Sequence, residues 1–412
     1  MNPRIQPVFA ALHLAEPRPE RLAALSDRDW RDVLDYCDRS QLTLVLRDAA
    51  RGFMPTWVRE RTDRDAANNV ARLRTTEELY RTLRTSLSGI DFLALKGLAQ
   101  CPDFVPRPES RVQYDVDLYA PPEHLARARD AVLSLGFESF EDLERFPTGH
   151  IPPLIRKTGW EWRGDYFDPE IPLAIELHFE FWNPAVEKLP IPDVDRFWTR
   201  RIARPIAGVP FSVLGRADAL GFSSLHLLRH VFRGSVRPFH GYELASFLQS
   251  HAVDDAFWRD WRSLHSPQFR RLQAVAFRLA MEWFGCNLGP VAAAEVDALA
   301  RATAAWFHRY AAAPLFGSAR FGSAKEELWL HLSLLGSRRD AWGVIRRRLL
   351  PTQLPGAVDA VHIPDSELTA RRRLLKHTRY LLYLACRFWR HAAALPRVVW
   401  AGARWWWTTR QK

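Results

Sequence analysis

A chain of 412 residues, 47% of them hydrophobic and 12% aromatic, is long enough for two or three cored domains and too apolar to be a disordered polymer. Lysine and arginine outnumber aspartate and glutamate 58 to 47, a formal net charge of +11, which suits a nucleic acid, a nucleotide or an anionic membrane face, although a GC-rich genome that writes Arg for Lys gives the same surplus. Cys37, Cys101, Cys286 and Cys386 have no C-x-x-C spacing for a zinc ribbon or disulfide framework, Met1 to Pro17 lacks the basic flank and apolar core of a signal peptide, and no apolar run approaches the ~20 residues that span a bilayer, so a cytoplasmic location is expected.

The first part of the chain, about Arg21 to Leu87, is mostly helical in pattern. Trp30, Val33 and Leu34 begin one amphipathic stretch, and Ala66, Val70, Leu73, Tyr80, Leu83 and Leu87 hold helical spacing without a breaker. Ser88-Gly89 supplies the stop, because glycine accepts the left-handed conformation that ends many helices. Ile90 to Leu95 then has the length and apolarity of a buried strand, and it delivers Lys96-Gly97 at its end. Pro102, Pro106 and Pro108 predict an irregular loop, followed by a second strand over about Val112 to Ala120.

Pro121-Pro122 opens a helix whose Leu125, Ala128, Val132 and Leu135 share a face and which Gly136 closes. Residues 141 to 170 are mixed, with Trp160, Trp162 and Tyr166 suiting a hairpin or a wall over a pocket. Leu173, Ile175, Leu177 and Phe179 then alternate with Ala174, Glu176, His178 and Glu180, the pattern of a half-buried strand. Beyond a boundary at Pro210 to Arg216, helices are expected over 216–231, 242–249, 257–264 and 269–284. The last part carries Arg346-Arg347-Arg348, Arg371-Arg372-Arg373 and Trp405-Trp406-Trp407. The expected organisation is an α+β protein: a helical region over 1–89, a core with a small mixed β-sheet over 90–212, a helical domain over 213–350 and a basic, aromatic-rich helical tail over 351–412.

Within that frame the chemistry gathers at Asp115-Val116-Asp117. Side chains on a strand alternate faces with a period of two, so both carboxylates point the same way and offer a metal-binding edge. Glu176, on the polar face of a later strand, would complete three acids, the set that in-line phosphoryl or nucleotidyl transfer by two metal ions requires. A D-x-D pair is equally compatible with a solvated strand face, and Glu176 with an exposed one. His178 beside it reads as a hydrogen-bonded histidine supporting the acids from behind, in preference to a metal ligand. Lys96, as a point charge at a glycine turn, and Arg111, as a planar fork, are the cations that phosphates would meet, or that would neutralise the aspartates.

Other chemistries find less support. His226 and His230 lie four apart and share a helix face as zinc ligands do, but there is no H-E-x-x-H and no cysteine is near in sequence, so zinc is not expected. Neither a G-x-S-x-G elbow nor a G-x-x-x-x-G-K-[ST] loop is present. From Lys376 to Trp407 arginines alternate with Tyr380, Tyr383, Phe388, Trp389 and Trp400, a mixture suited to an anionic membrane surface, to stacking on nucleic acid bases, or to docking on the protein's own body.

The ordered set Leu95-Lys96-Gly97, Arg111, Asp115-x-Asp117 and Glu176-Leu177-His178 resembles the uncharacterised bacterial nucleotidyltransferase family of the DNA polymerase β-like superfamily, over roughly residues 65 to 250. The wider superfamily usually has Gly-Ser or Gly-Gly at the turn where this chain has Lys96-Gly97-Leu98. The resemblance implies a polymerase β-like sheet with flanking helices. It implies Mg2+ or Mn2+ bound by Asp115 and Asp117 with Glu176 as third acid, and a nucleoside triphosphate bound near Lys96, Gly97 and Arg111. The expected activity is transfer of a nucleoside monophosphate to an acceptor hydroxyl on a sugar, small molecule, protein or RNA. The alternatives from other classes are a non-catalytic module that binds a polyanion or nucleotide, and a peripheral membrane component acting through its tail at the inner face of the membrane.

Overall fold

The computed structural model describes residues 4–139, 149–316, 325–349 and 369–410. The expected boundary at 351 and the stretch 141–148 lie outside the described residues.

The chain begins with helices α1 (Gln6–Ala11), α2 (Asp27–Ser40), α3 (Thr43–Ala50) and the 31-residue α4 (Thr56–Ser86). Local chemistry sets their ends. Ser26 and Asp29 form a reciprocal capping box at the start of α2, and Gln41 in the left-handed region stops it. Strands β1 (Leu93–Ala94) and β2 (Asp115–Tyr119) follow, then α5 (Pro122–Ser134), β3 (Glu138–Ser139), β4 (Leu154–Ile155), β5 (Ala174–His178) and a single turn α6 (Pro184–Glu187). A hairpin, β6 (Ile202–Ile206) and β7 (Val209–Val213), precedes α7 (Arg216–Arg233), α8 (Pro238–Ser250), α9 (Asp255–Leu264), α10 (Pro267–Phe284), α11 (Gly289–Asp297), α12 (Arg301–Tyr310), α13 (Glu327–Leu334), α14 (Arg338–Leu349) and α15 (Ala370–Arg410).

The seven strands form one mixed sheet in the order β3-β4-β5-β2-β1-β7-β6. At its centre β2 runs parallel to β5 and antiparallel to β1. The β6–β7 hairpin is an addition to the expected strands. Pro205 and Pro210 interrupt any alternation, and its turn is Ala207-Gly208, both at positive φ (51° and 80°), in place of the Asn-Gly or Asp-Gly that advertises a two-residue hairpin in sequence.

One face of the sheet is a continuous apolar layer. Val116, Leu118, Ile175 and Leu177 are all fully buried there against Tyr80 and Leu83 of α4 and Ala128 and Val132 of α5. At about 1.5–3 kcal/mol for each buried aliphatic side chain, these four fix the register of β2 and β5, because a one-residue slip would expose all of them and bury both aspartates in the apolar layer. A second, larger core joins Trp30, Val33 and Leu34 of α2 to Leu220, Phe222, Phe247 and Phe277 of the helices after the sheet. Helices from before and after the sheet therefore share one interior.

The middle of helix α4 differs from its sequence pattern, although Tyr80 and Leu83 further along are buried as that pattern expects. Ala66, Val70 and Leu73 are only half-buried, and the buried stripe is Thr62, Asp65, Asn69, Arg72 and Thr76. The reason is the irregular backbone packed against it. Asn69 Nδ2 donates to the carbonyls of Glu109 (2.8 Å) and Arg111 (3.1 Å), and Arg72 donates to those of Gln113 (3.0 Å), Ile171 (3.0 Å) and Asp168 (3.2 Å). Loop carbonyls buried away from water need such donors, and here they come from a helix whose polar face looks inward. The segments so held are those that lead into β2 and β5.

Helix α15, 41 residues long, docks through one end only. Ala394, Val398, Ala401 and Trp405 repeat at helical spacing and are buried; Trp405 stacks on Trp329 (6.1 Å between centroids) and donates to Ala302 O (3.2 Å). Towards its start, Leu374, Leu375, Leu381, Leu382, Phe388 and Trp389 are exposed. Among the described residues no helix is long and apolar enough to cross a membrane.

Candidate active site

The parallel pairing of β2 with β5 sets Asp115 opposite Ala174, Asp117 opposite Glu176 and Tyr119 opposite His178. Paired residues of neighbouring strands share a face, so the three acids and His178 all project from the side of the sheet away from α4 and α5. Asp117 and His178 are buried, whereas Asp115 and Glu176 remain partly open.

The turn after β1 closes over this face. Gly97 sits at φ +66°, and a Cβ on it would lie 2.5 Å from the side-chain amide of Gln113. Glycine is therefore required twice, for the backbone angle and for the close approach. Gln113 Nε2 in turn donates to Asp115 O (2.7 Å), which ties the turn to the strand of acids. The turn is also anchored to α7, since Gln100 Nε2 donates to Ser223 Oγ (2.7 Å).

Asp117 is the hub. Its Oδ1 accepts from Lys96 Nζ at 2.8 Å and from His178 Nε2 at 3.0 Å, and His178 Nε2 is 3.6 Å from Glu176 Oε2. Burial alone would raise the Asp117 pKa, but Lys96 and His178 outweigh it and hold the carboxylate well below the usual range. Burial opposes the charge on His178 and on Lys96, yet the facing carboxylates raise both. Glu176 is held low by its contact with His178 against the effect of burial. Asp115 goes the other way: burial first, then the neighbouring Asp117 charge, push it up to about 6. The acids thus divide into an ionised pair with cationic partners and a third that keeps a proton until near neutrality.

Arg111 is turned elsewhere. Its Nε donates to Glu243 of α8 at 2.7 Å, with both side chains buried, and its carbonyl is held by Asn69. Further groups near the acids were not evident in sequence. His150 forms an isolated bridge to His178 with the rings 5.0 Å apart, and the charges of Arg229 and Arg237 act on the acid cluster. His226, His230 and His240 also gather on this side. Burial, with Lys96 among the opposing charges, lowers the pKa of all three, so they are neutral at pH 7. The spacing of His226 and His230 on one helix face was visible in sequence, whereas His150, Arg229, Arg237 and His240 carry neither alternation nor motif spacing to mark them.

The donor set suits a divalent cation. One ligand atom each from Asp117, Glu176 and His178 lies within 4.8 Å of the other two, and Asp115 stands outside this set at the neighbouring position of the strand. One observation favours an ion: three carboxylates share this face with Lys96 and His178, and the charge of Asp117 adds to burial in raising Asp115. A buried acidic and histidine group here is thus able to hold a metal.

A search of curated proteins and a search of solved structures each found no match to this chain. A family model described as "Uncharacterised nucleotidyltransferase" matches residues 26–285, a longer stretch than the 65 to 250 expected, reaching from α2 to the end of α10. With well over half of the chain matched, and with the acids, the glycine turn and Lys96 all inside the match, this chain belongs to the uncharacterised nucleotidyltransferase family.

Proposed function

We propose that this chain transfers a nucleoside monophosphate from a nucleoside triphosphate to an acceptor hydroxyl, with Mg2+ or Mn2+ held by Asp115, Asp117 and Glu176. The observation that carries this reading is the register that sets Asp117 beside Glu176, with Asp115 on the same face and Lys96 Nζ 2.8 Å from Asp117. Family membership supports nucleotidyl transfer as the reaction class. The strand, glycine turn, D-x-D strand and later acid strand support a polymerase β-like core, and a cytoplasmic location belongs to the same reading.

When bound, the ion would neutralise triphosphate charge and polarise the α-phosphoryl group. Lys96 offers a point charge to phosphate oxygens, and Gly97 lets the backbone come close to them. His178 holds Asp117 ionised and oriented. One of the carboxylates takes the proton of the acceptor hydroxyl as its oxygen attacks. The new bond joins that oxygen to the α-phosphorus, the bond from the α-phosphorus to the bridging oxygen breaks, and pyrophosphate leaves. Arg111 is paired with Glu243, and within this reading it braces the approach to β2 while Lys96 makes the phosphate contact.

Calorimetric titration of the full chain with ATP, CTP, GTP and UTP, with and without Mg2+, tests the proposal. The expected result is Mg2+-dependent binding of at least one triphosphate that is lost in Asp115→Asn with Asp117→Asn. Absence of such binding, or binding unchanged in that variant, refutes it.

A second reading concerns α15. Its exposed Leu381, Leu382, Phe388 and Trp389 lie among Arg371, Arg372, Arg373, Lys376, Arg379, Arg387 and Arg390, the composition of a helix that rests on an anionic bilayer. We infer peripheral attachment by this segment while its far end stays docked through Trp405. Flotation with phosphatidylglycerol vesicles should carry the chain, and Leu381→Glu with Leu382→Glu should abolish it. No flotation at low salt removes this reading.

A further inference from the structure

Helices α7 and α8 carry three histidines that nucleotidyl transfer does not use. His226 and His230 are one turn apart on α7, and His240 stands in the first turn of α8. Gly234, at φ +63°, ends α7 and Pro238 opens α8, so the short connection folds the second helix back across the first. The rings meet: centroids are 4.5 Å apart for His226 and His230, 4.6 Å for His226 and His240, and 5.2 Å for His230 and His240. One ring nitrogen from each lies within 4.8 Å of the other two.

The partners of the remaining ring nitrogens point the same way. His230 Nδ1 is 3.3 Å from Ser235 Oγ, and His240 Nδ1 is 3.7 Å from Glu243 Oε2. His226 Nε2 and His240 Nδ1 are buried with no hydrogen-bond partner. His226 Nε2 and His240 Nδ1 are thus unpartnered nitrogens that a shared ligand would satisfy, beside His230, whose Nδ1 faces Ser235. A hydroxyl or carboxylate behind the far nitrogen is the usual support of a metal-binding imidazole.

We propose that His226, His230 and His240 form a second metal site, distinct from the carboxylates, that takes Zn2+ or a similar first-row divalent ion. Three neutral nitrogens favour such an ion over Mg2+, which prefers oxygen, so the two sites would sort their metals by ligand type. A three-histidine set leaves one coordination position open for a further ligand. The ion would pin α7 to α8 beside Glu243, whose other oxygen holds Arg111 on the approach to β2. The proposal stands whether or not the acid cluster transfers nucleotides.

Cobalt titration of the chelator-treated full chain tests it. The expected result is one equivalent of Co2+ giving visible bands of a four-coordinate nitrogen-rich site, abolished by Zn2+ and unaffected by excess Mg2+. These bands should persist in Asp117→Asn and weaken at least tenfold in affinity in His230→Gln and in His240→Gln. X-ray absorption of the Zn2+-loaded wild-type chain, which depends on no variant, should count three imidazoles. No cobalt bands, bands lost only in Asp117→Asn, or a zinc shell of oxygen or sulfur without imidazole would each overturn the site.

Discussion

Asp115→Asn should stabilise the metal-free protein, by an amount that grows with pH. In the unfolded chain Asp115 ionises near 3.8, and in the folded chain burial and Asp117 move this to about 6. A raised carboxyl pKa means that folding favours the protonated form, so its contribution is fully present below pH 3.8 and is lost as pH rises through 6. At 1.36 kcal/mol per pH unit the ionised aspartate costs the fold roughly 3 kcal/mol at pH 8 and about half that at pH 5. Asparagine keeps the shape and removes the charge. For 412 residues the entropy of unfolding is about 0.9 kcal/mol/K, so the gain at pH 8 is about 3–4 °C in Tm. Paired thermal melts of wild type and variant in EDTA between pH 5 and 8 measure it, because groups that do not interact with Asp115 titrate alike in both chains. The expected curve rises over this range and levels off above pH 7. Millimolar Mg2+ should shrink it, because a bound cation relieves the same repulsion in the wild type. A difference that is flat with pH, or a variant less stable at pH 8, would refute the assignment of the charge to Asp115.

Glu243→Gln should destabilise the chain by about 3–5 kcal/mol, because Arg111 would keep a buried charge without a partner; urea unfolding measures this, and the double change Arg111→Met with Glu243→Met should recover most of it. Gly97→Ala forces a side chain at φ +66° into the Gln113 amide, and should cost about 1–3 kcal/mol in stability and weaken triphosphate binding in the calorimeter, whereas Gly136→Ala, with open space around it, should leave binding unchanged. Gly402→Val should free the docked end of α15, since a Cβ there would lie 2.0 Å from Trp329 Cζ2. Limited trypsin digestion should then cut the tail at least several-fold faster than in wild type, and an unchanged rate would show that Trp405 alone holds it.

Local periodicity carried much of this protein. The alternation in Asp115-Val116-Asp117-Leu118 and in Ile175-Glu176-Leu177-His178 already told which side chains share a face, because the strand repeat is a property of the backbone and the apolar partners occupy the other face. Helices α7 and α10 were equally legible from apolar spacing, which set them at 216–231 and 269–284. What periodicity does not encode is which elements meet. The parallel pairing that sets Glu176 beside Asp117, the reach of Lys96 across the Gly97 turn, the withdrawal of Arg111 to Glu243, and the arrival of His240 beside His226 and His230 were all decided by the tertiary fold. The buried polar stripe of α4 and the hairpin turning on Ala207-Gly208 were hidden for a related reason. A residue that is buried to satisfy another segment's carbonyls, or a turn shaped by its neighbours, is selected by contacts far away in the chain, and its own sequence window holds no trace of them.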